Sequence, residues 1–313
     1  MKKKLIALIL AALLLPVSTG TIRTQADDFG SDISVFKKDQ NIEETVLYDA
    51  NNVKIIATGI SYASYEAELG IWIENNSDKN LEFLAETYGY SRNAVNGFMI
   101  ENGYVRMELA PGESGEDAAG FGYSELLLHG ISEIADIQIG FSISDDDNNT
   151  IYTGPLQVKT PLAESYDYSN DGYQKAITSK AMQYTYGYTV EDFAAKEAFN
   201  SGGIRILSEC YMTNEDGEHA LMLEVMNDND FAVHFTTRDI MMNDILVYDS
   251  SWSYDVINPH CRTLVTISPE DVADEEEMAE FGIEQVNSIG FTVNVKNDDG
   301  IVVAEPKSLV INL

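Results

Sequence analysis

Two halves of this chain carry the same pattern about 152 residues apart, and that repetition limits its architecture more than any other feature. Gly130-Ile131, Ile134, Ile137, Ile139, Phe141 and Ile143 match Gly282-Ile283, Val286, Ile289, Phe291, Val293 and Val295, each pair at a spacing of 152. The acidic stretch Asp145-Asp146-Asp147-Asn148 recurs as Asn297-Asp298-Asp299-Gly300. Earlier landmarks follow in the same order. Asn52-Val53-Lys54-Ile55-Ile56 corresponds to Gly203-Ile204-Arg205-Ile206-Leu207, and Leu69, Ile71, Ile73, Asn75-Asn76 to Leu221, Leu223, Val225, Asn227-Asp228. Val95-Asn96-Gly97 answers Met242-Asn243-Asp244, and Leu156-Gln157-Val158 answers Leu309-Val310-Ile311. Two domains are therefore expected, at 45–160 and 200–313, with an extension at 27–44 and a linker at 161–199.

Within each copy the apolar residues alternate with period two, as in Leu69, Ile71, Ile73, which predicts half-buried strands. Asn75-Asn76-Ser77-Asp78, Asn96-Gly97, Asn214-Glu215-Asp216-Gly217 and Asp298-Asp299-Gly300 supply the turn chemistry between strands. Many short strands in about 105 residues predict an all-β chain of two tandem immunoglobulin-like β-sandwich domains. One short helix is expected in each. In the second copy Ser268-Pro269-Glu270-Asp271 opens a helix running to Phe281 and stopping at Gly282; in the first, Ser114-x-x-Asp117 opens a weaker one ending at Gly130. The linker contains Tyr166, Tyr168, Tyr173, Tyr184, Tyr186 and Tyr188, and Thr189-Val190-Glu191-Asp192 predicts a short helix ending near Gly203.

The pattern resembles the tandem immunoglobulin-like domains of unknown function found in exported proteins of Gram-positive bacteria. The residues that carry the resemblance are Val53-Lys54-Ile55, Ile73-Glu74-Asn75-Asn76-Ser77, Val95-Asn96-Gly97, Ala110-Pro111-Gly112 and Gly130-Ile131 with Ile139-Gly140-Phe141. The second copy departs from it at Asn258-Pro259-His260. The resemblance implies an architecture and a compartment but no activity.

The compartment is also written at the start of the chain. Met1-Lys2-Lys3-Lys4 precedes an apolar run from Leu5 to Leu15 and then Pro16. A basic start and a short apolar run predict a secretory signal peptide at 1–26, cleaved after Ala26, with Gly20 as the alternative site. The run is shorter than the roughly 20 residues a spanning helix needs. A secreted, extracellular chain with no membrane span in its mature form is expected.

The full chain carries 52 Asp+Glu against 19 Lys+Arg, a net charge of −33. Removing Lys2, Lys3, Lys4 and Arg23 makes the mature chain four charges more negative still. Such a surface excludes nucleic acid, whose phosphates demand a basic face, and disfavours anionic membranes. Hydrophobic residues at 44% nonetheless suffice to build cores, so the chain is not disordered.

Candidate functional residues are few. Trp72 sits between the inward-facing Ile71 and Ile73, so it is expected on the outer sheet face, where a tryptophan can stack on a sugar or anchor a protein. Trp252 is a similar binding candidate. Asp145, Asp147 and Asn149 alternate like the start of an EF-hand loop, but Thr150 and Leu156 stand where that loop needs Gly and Glu. They read as a weak Ca2+ site or as an exposed hairpin, and Asn297–Asp299 as its counterpart; no other cofactor is expected. Cys210 and Cys261 either pair as a disulfide in an oxidising compartment or remain as buried thiols. No Gly-x-Ser-x-Gly elbow is present. The expectation is a secreted, non-catalytic binding or structural protein whose partner is an extracellular protein or glycan. The alternatives are a hydrolase with a shallow site around Cys210, His219, His234 and His260, or a calcium-dependent cell-surface module.

Overall fold

The computed structural model describes residues 33–85, 92–248, 255–268 and 275–313. The signal-peptide region 1–26, Trp252 and the predicted helix start at Pro269–Asp271 lie outside the described residues. The chain is all-β, built from antiparallel sheets in sandwich-like arrangement. Its two compact units comprise Ser31–Tyr173 and Gln174–Leu313, so the tyrosine-rich stretch divides between them at Tyr173.

In the first unit the strands are β1 (Thr45–Ala50), β2 (Val53–Tyr62), β3 (Glu66–Asn75), β4 (Leu81–Ala85), β5 (Ala94–Val95), β6 (Phe98–Met99), β7 (Val105–Leu109) and β8 (Ser114–Gly122). After helix α1 (Tyr123–Leu128) come β9 (Asp136–Ile139), β10 (Ser142–Asp145), β11 (Thr150–Tyr152) and β12 (Leu156–Lys159). One sheet runs β1-β2-β3-β8. Against it stand β11-β10-β4-β7 and β12-β9-β5-β6. The alternation in β3 is strict: Ala67, Leu69, Ile71, Ile73 and Asn75 are buried and the residues between them are half-exposed. Ile55, Phe83, Ile137, Ile139, Phe141 and Ile143 complete the interior. Ile33 and Phe36 of the extension are buried as well, with Phe36 packed on Tyr123 at 4.6 Å between ring centroids.

The second unit opens with α2 (Gly172–Ile177), which begins just before it, and α3 (Lys180–Tyr186). It continues with β13 (Tyr188–Ala194), β14 (Phe199–Ser201), β15 (Ile204–Asn214), β16 (His219–Asn227), β17 (Val233–Met242), β18 (Ile245–Tyr248), β19 (Asp255–Ile257) and β20 (Arg262–Ile267). Helix α4 (Glu275–Glu280), β21 (Ser288–Asn297) and β22 (Val302–Asn312) end it. One sheet runs β20-β16-β15-β13, with β14 also on β15; the other runs β18-β17-β21-β22, with β19 also on β17. Much of this order repeats the first unit. β15 and β16 stand for β2 and β3, β20 for β8, and the unbroken β21 spans what the first unit divides into β9 and β10.

The helix ends repeat too. Gly130 and Ile131 donate their N–H groups to the carbonyls of Leu127 and Leu126, and Gly282 and Ile283 to those of Ala279 and Met278. Both glycines have φ +73°, a left-handed C′ position that a side chain would strain.

Two predicted helix starts lie in strands instead. Ser114–Gly122 lies along the whole of β3, from Ser114 opposite Glu74 to Gly122 opposite Glu66, and the helix starts only at Tyr123. Ser114-x-x-Asp117 has the spacing of a helix cap, but Ala119 and Phe121 gain full burial only from the extended chain. Thr189–Asp192 likewise belongs to β13, paired on β15 with a bulge between Val190 and Asp192. The helix of that stretch precedes it and is closed by Gly187 at φ +66°.

Candidate functional site

Strand β3 carries Trp72 on the outer face, between Ile56 of β2 and Glu116 of β8. The ring is half-buried, Ile56 is buried beside it, and Glu116 and Ala118 across the strand are exposed. This is the outward placement expected from the alternation, on a face only partly covered.

The equivalent face of the second unit is filled. Glu224, at the position of Trp72, is 0% exposed and lies opposite Ser208 and Leu264. Its Oε1 accepts from Arg262 Nη1 at 2.9 Å, and its Oε2 from Ser208 Oγ at 2.8 Å and Gln174 Nε2 at 2.9 Å. A buried carboxylate is tolerable when it is paired and its lone pairs are satisfied, as here. Gln174 belongs to α2, so part of the tyrosine-rich stretch packs on this sheet. The cluster was not singled out in the sequence. Its one signal is a lone charge inside Leu221-Met222-Leu223-Glu224-Val225.

The candidate metal residues are brought together by hydrogen bonds within their own turn. Asp145 Oδ1 accepts the backbone N–H groups of Asp147 (3.0 Å) and Asn149 (2.9 Å), while Asn149 Nδ2 donates to both carboxylate oxygens. Lys79 Nζ pairs with Oδ2. These bonds, led by the one to Lys79, hold the Asp145 carboxyl well below the usual carboxylate range. Asn297 repeats the turn, accepting from Asp299 N at 3.1 Å and Ile301 N at 2.9 Å. A cation at Asp145 would have to displace an ammonium and break the turn. No cluster of three or more metal-ligating side chains occurs among the described residues.

No disulfide joins Cys210 and Cys261; both are buried thiols. Cys210 lies opposite Met222 in the middle of the β15–β16 pair, whereas the carbonyl of Cys261 accepts the N–H of Asn227 at the end of β16. Five residues of strand separate those points, about 16 Å at the usual rise. β15 and β20 also flank β16 on opposite sides. A bridge needs Cα atoms within about 7 Å. Burial, with Asp192 adding to it, pushes the Cys210 thiol up to about 12. The histidines do not converge on it. His219 stacks on Tyr211, with Nδ1 2.7 Å from the phenol oxygen. His234, on β17 of the other sheet, bonds Asp298 through Nε2 at 2.8 Å, and His260 Nε2 bonds Asp230 at 2.9 Å.

Within the second unit a shallow cleft of about 440 Å3 is lined by Lys180, Gln183, Tyr184, Tyr188, Thr189 and Glu215 among others. Gln183 and Tyr188 have structural partners there, the N–H of Val190 and the carbonyl of Ile177, while Tyr184 is exposed. No helix among the described residues is long and apolar enough to cross a membrane.

No protein-family model matches the chain, and no curated protein matches it. Among solved structures it is similar to the YadV chaperone at 9% identity, over 77% of this chain and 92% of that one, with a TM-score of 0.21. A conserved domain protein from Bacillus anthracis matches at 10% identity over 89% and 93%, with a TM-score of 0.22. A red sea bream transglutaminase matches at 8% over 84% and 31%, with a TM-score of 0.20. Likeness of this degree carries no functional argument.

Proposed function

We propose that this chain is a secreted, non-catalytic binding protein of two repeated β-sandwich domains, and that its partner is an extracellular protein or glycan. The observation that carries the reading is the divergence of one face between the two copies. Where the second unit buries Glu224 with Arg262, Ser208 and Gln174, the first presents Trp72 on a partly open sheet beside Glu116 and Ala118. A half-buried tryptophan on such a face offers an apolar, stacking surface held rigid by its strand. The basic, apolar start of the sequence supports export, and the spacing of its landmarks supports kinship with the tandem domains of exported Gram-positive proteins. The separate placement of Cys210, His219, His234 and His260 supports binding over hydrolysis, because a nucleophile needs a base within hydrogen-bond reach.

The test is a glycan array together with a panel of extracellular and cell-wall proteins, probed with wild type and Trp72→Ala. Loss of a wild-type signal in the variant is expected. A signal of equal strength in both proteins would remove Trp72 from the binding face.

A further inference from the structure

Glu125 on α1 is 8% exposed, and its two carboxylate oxygens are unequally served. Oε1 accepts the backbone N–H of Glu101 at 2.8 Å; Oε2 is buried with no hydrogen-bond partner. The side chain that follows that N–H is a second carboxylate, Glu101, itself largely buried. At the C-cap of α1 stands His129, whose ring is tied to the Glu125 carbonyl through Nδ1 at 2.8 Å and meets Phe98 edge-on at 4.6 Å.

The bond from Glu101 is one of four that fasten the connection between β6 and β7. Ile100 N donates to the carbonyl of Asn93 at 3.1 Å, and Asn93 Nδ2 donates to the carbonyls of Asn102 (2.9 Å) and Gly103 (3.2 Å). Only the bond to Glu125 ends on a group that can change charge.

We propose that Glu125 is a proton-controlled latch, whose neutral carboxyl closes the Ile100–Gly103 segment onto α1 and whose ionisation loosens it. A neutral carboxyl can stay in the site at modest cost. A carboxylate there keeps one hydrogen bond, loses the water that would solvate Oε2, and faces Glu101. Loosening admits water and releases the proton to solvent. Burial foremost, opposed by the Glu101 N–H and reinforced by the Glu101 charge, raises the carboxyl from 4.5 to about 7. The group's pKa is higher in the closed form than in the open one. The latch is therefore complete below about pH 4.5, weakens as pH rises towards 7, and changes no further above that.

Hydrogen exchange of the full chain between pH 4.5 and 8, corrected for intrinsic rates, reads the latch directly. Protection of the Ile100 and Glu101 amides should fall by at least about tenfold between pH 4.5 and 7 and then level off, since each pH unit can contribute up to about tenfold. Glu125→Gln, which cannot ionise, should hold its protection constant across the range. Glu101→Gln leaves the backbone bond in place and removes the repelling charge, so the fall should move to lower pH. Constant protection in wild type, an equal fall in Glu125→Gln, or an unmoved fall in Glu101→Gln would each overturn the proposal.

Discussion

Asn75 and Asn227, 152 residues apart, make the same bonds in the two units. Asn75 Nδ2 donates to the carbonyls of Lys79 (2.8 Å), Leu109 (2.9 Å) and Ala110 (3.2 Å), and its Oδ1 accepts the N–H of Ser77 at 3.0 Å. Asn227 Nδ2 donates to Phe231 (2.9 Å), Ile257 (3.1 Å) and Asn258 (3.1 Å), and its Oδ1 accepts the N–H of Asn229 at 3.0 Å. Each clamp closes the tight turn at the end of its strand and joins it to the loop leading into β8 or β20. Both side chains are fully buried. Removing either leaves several carbonyls without a donor, at about 1–3 kcal/mol for each group that water cannot reach. Asn75→Ala and Asn227→Ala should each destabilise the protein by about 2–4 kcal/mol in urea titration. The aspartate variants should be worse, because a carboxylate would face carbonyl oxygens it cannot bond. A loss below about 0.5 kcal/mol, the range of an ordinary surface substitution, would show that the clamps are incidental.

The clamps mark how far the sequence could be read. Asn75-Asn76 and Asn227-Asp228 were recognisable as paired turns because turn chemistry is local, and Ile137–Ile143 against Ile289–Val295 because alternation is local too. Two of the three carbonyls that Asn75 Nδ2 reaches lie 34 and 35 residues further on, and no nearby pattern announces them. The same limit produced the two misread helix starts. A serine or threonine with an acid three residues later suits a helix cap and the solvent side of a strand equally well. Pairing with β3 and β15 decided between them. Trp72 was legible as outward-facing from its neighbours; the partial cover over it was not, since Ile56 and Glu116 come from other strands.

His260 occupies a left-handed backbone position, φ +56°, where the first unit has Gly112 at φ +77°. A non-glycine residue there carries a cost of roughly 1–2 kcal/mol, partly offset because glycine is the more flexible residue when unfolded. The His260–Asp230 contact is exposed, and such pairs add little. His260→Gly should therefore raise stability by about 0.5 kcal/mol, and Gly112→Ala should lower it by about 1 kcal/mol. Thermal melts of the two single variants check the pair. A destabilised His260→Gly would mean that its imidazole contributes more than the strain removes.

At Asp145 the turn already uses the oxygens that a calcium ion would need. Addition of millimolar calcium, or of a chelator, should leave the melting temperature within about 1 °C, because a ligand that bound the folded state would raise it. Acid should act where calcium does not. The folded-state pKa of Asp145 is depressed, so its contribution is complete above the ordinary carboxylate range near pH 4 and fades as pH falls further. Lys79→Met should flatten that part of the pH profile. A calcium-dependent rise in melting temperature, abolished in Asp145→Ala, would instead place a metal site there.

Glu224 is the sharpest case of one position used in two ways. Truncating it should be costly, since Arg262 is itself buried and would lose this ion pair. Breaking a buried pair from one side typically costs about 3–5 kcal/mol, and Glu224→Ala should fall in that range. Replacing both charges with apolar residues removes the desolvation term as well as the attraction, so Glu224→Leu with Arg262→Met should recover most of the loss. Ser208 and Gln174 would keep polar groups facing the new apolar surface, so recovery should stop short of wild type. Urea titrations of Glu224→Leu, Arg262→Met and the double variant give the coupling directly. If the double variant proved no more stable than Glu224→Ala, the cost would lie in lost packing rather than in the broken ion pair.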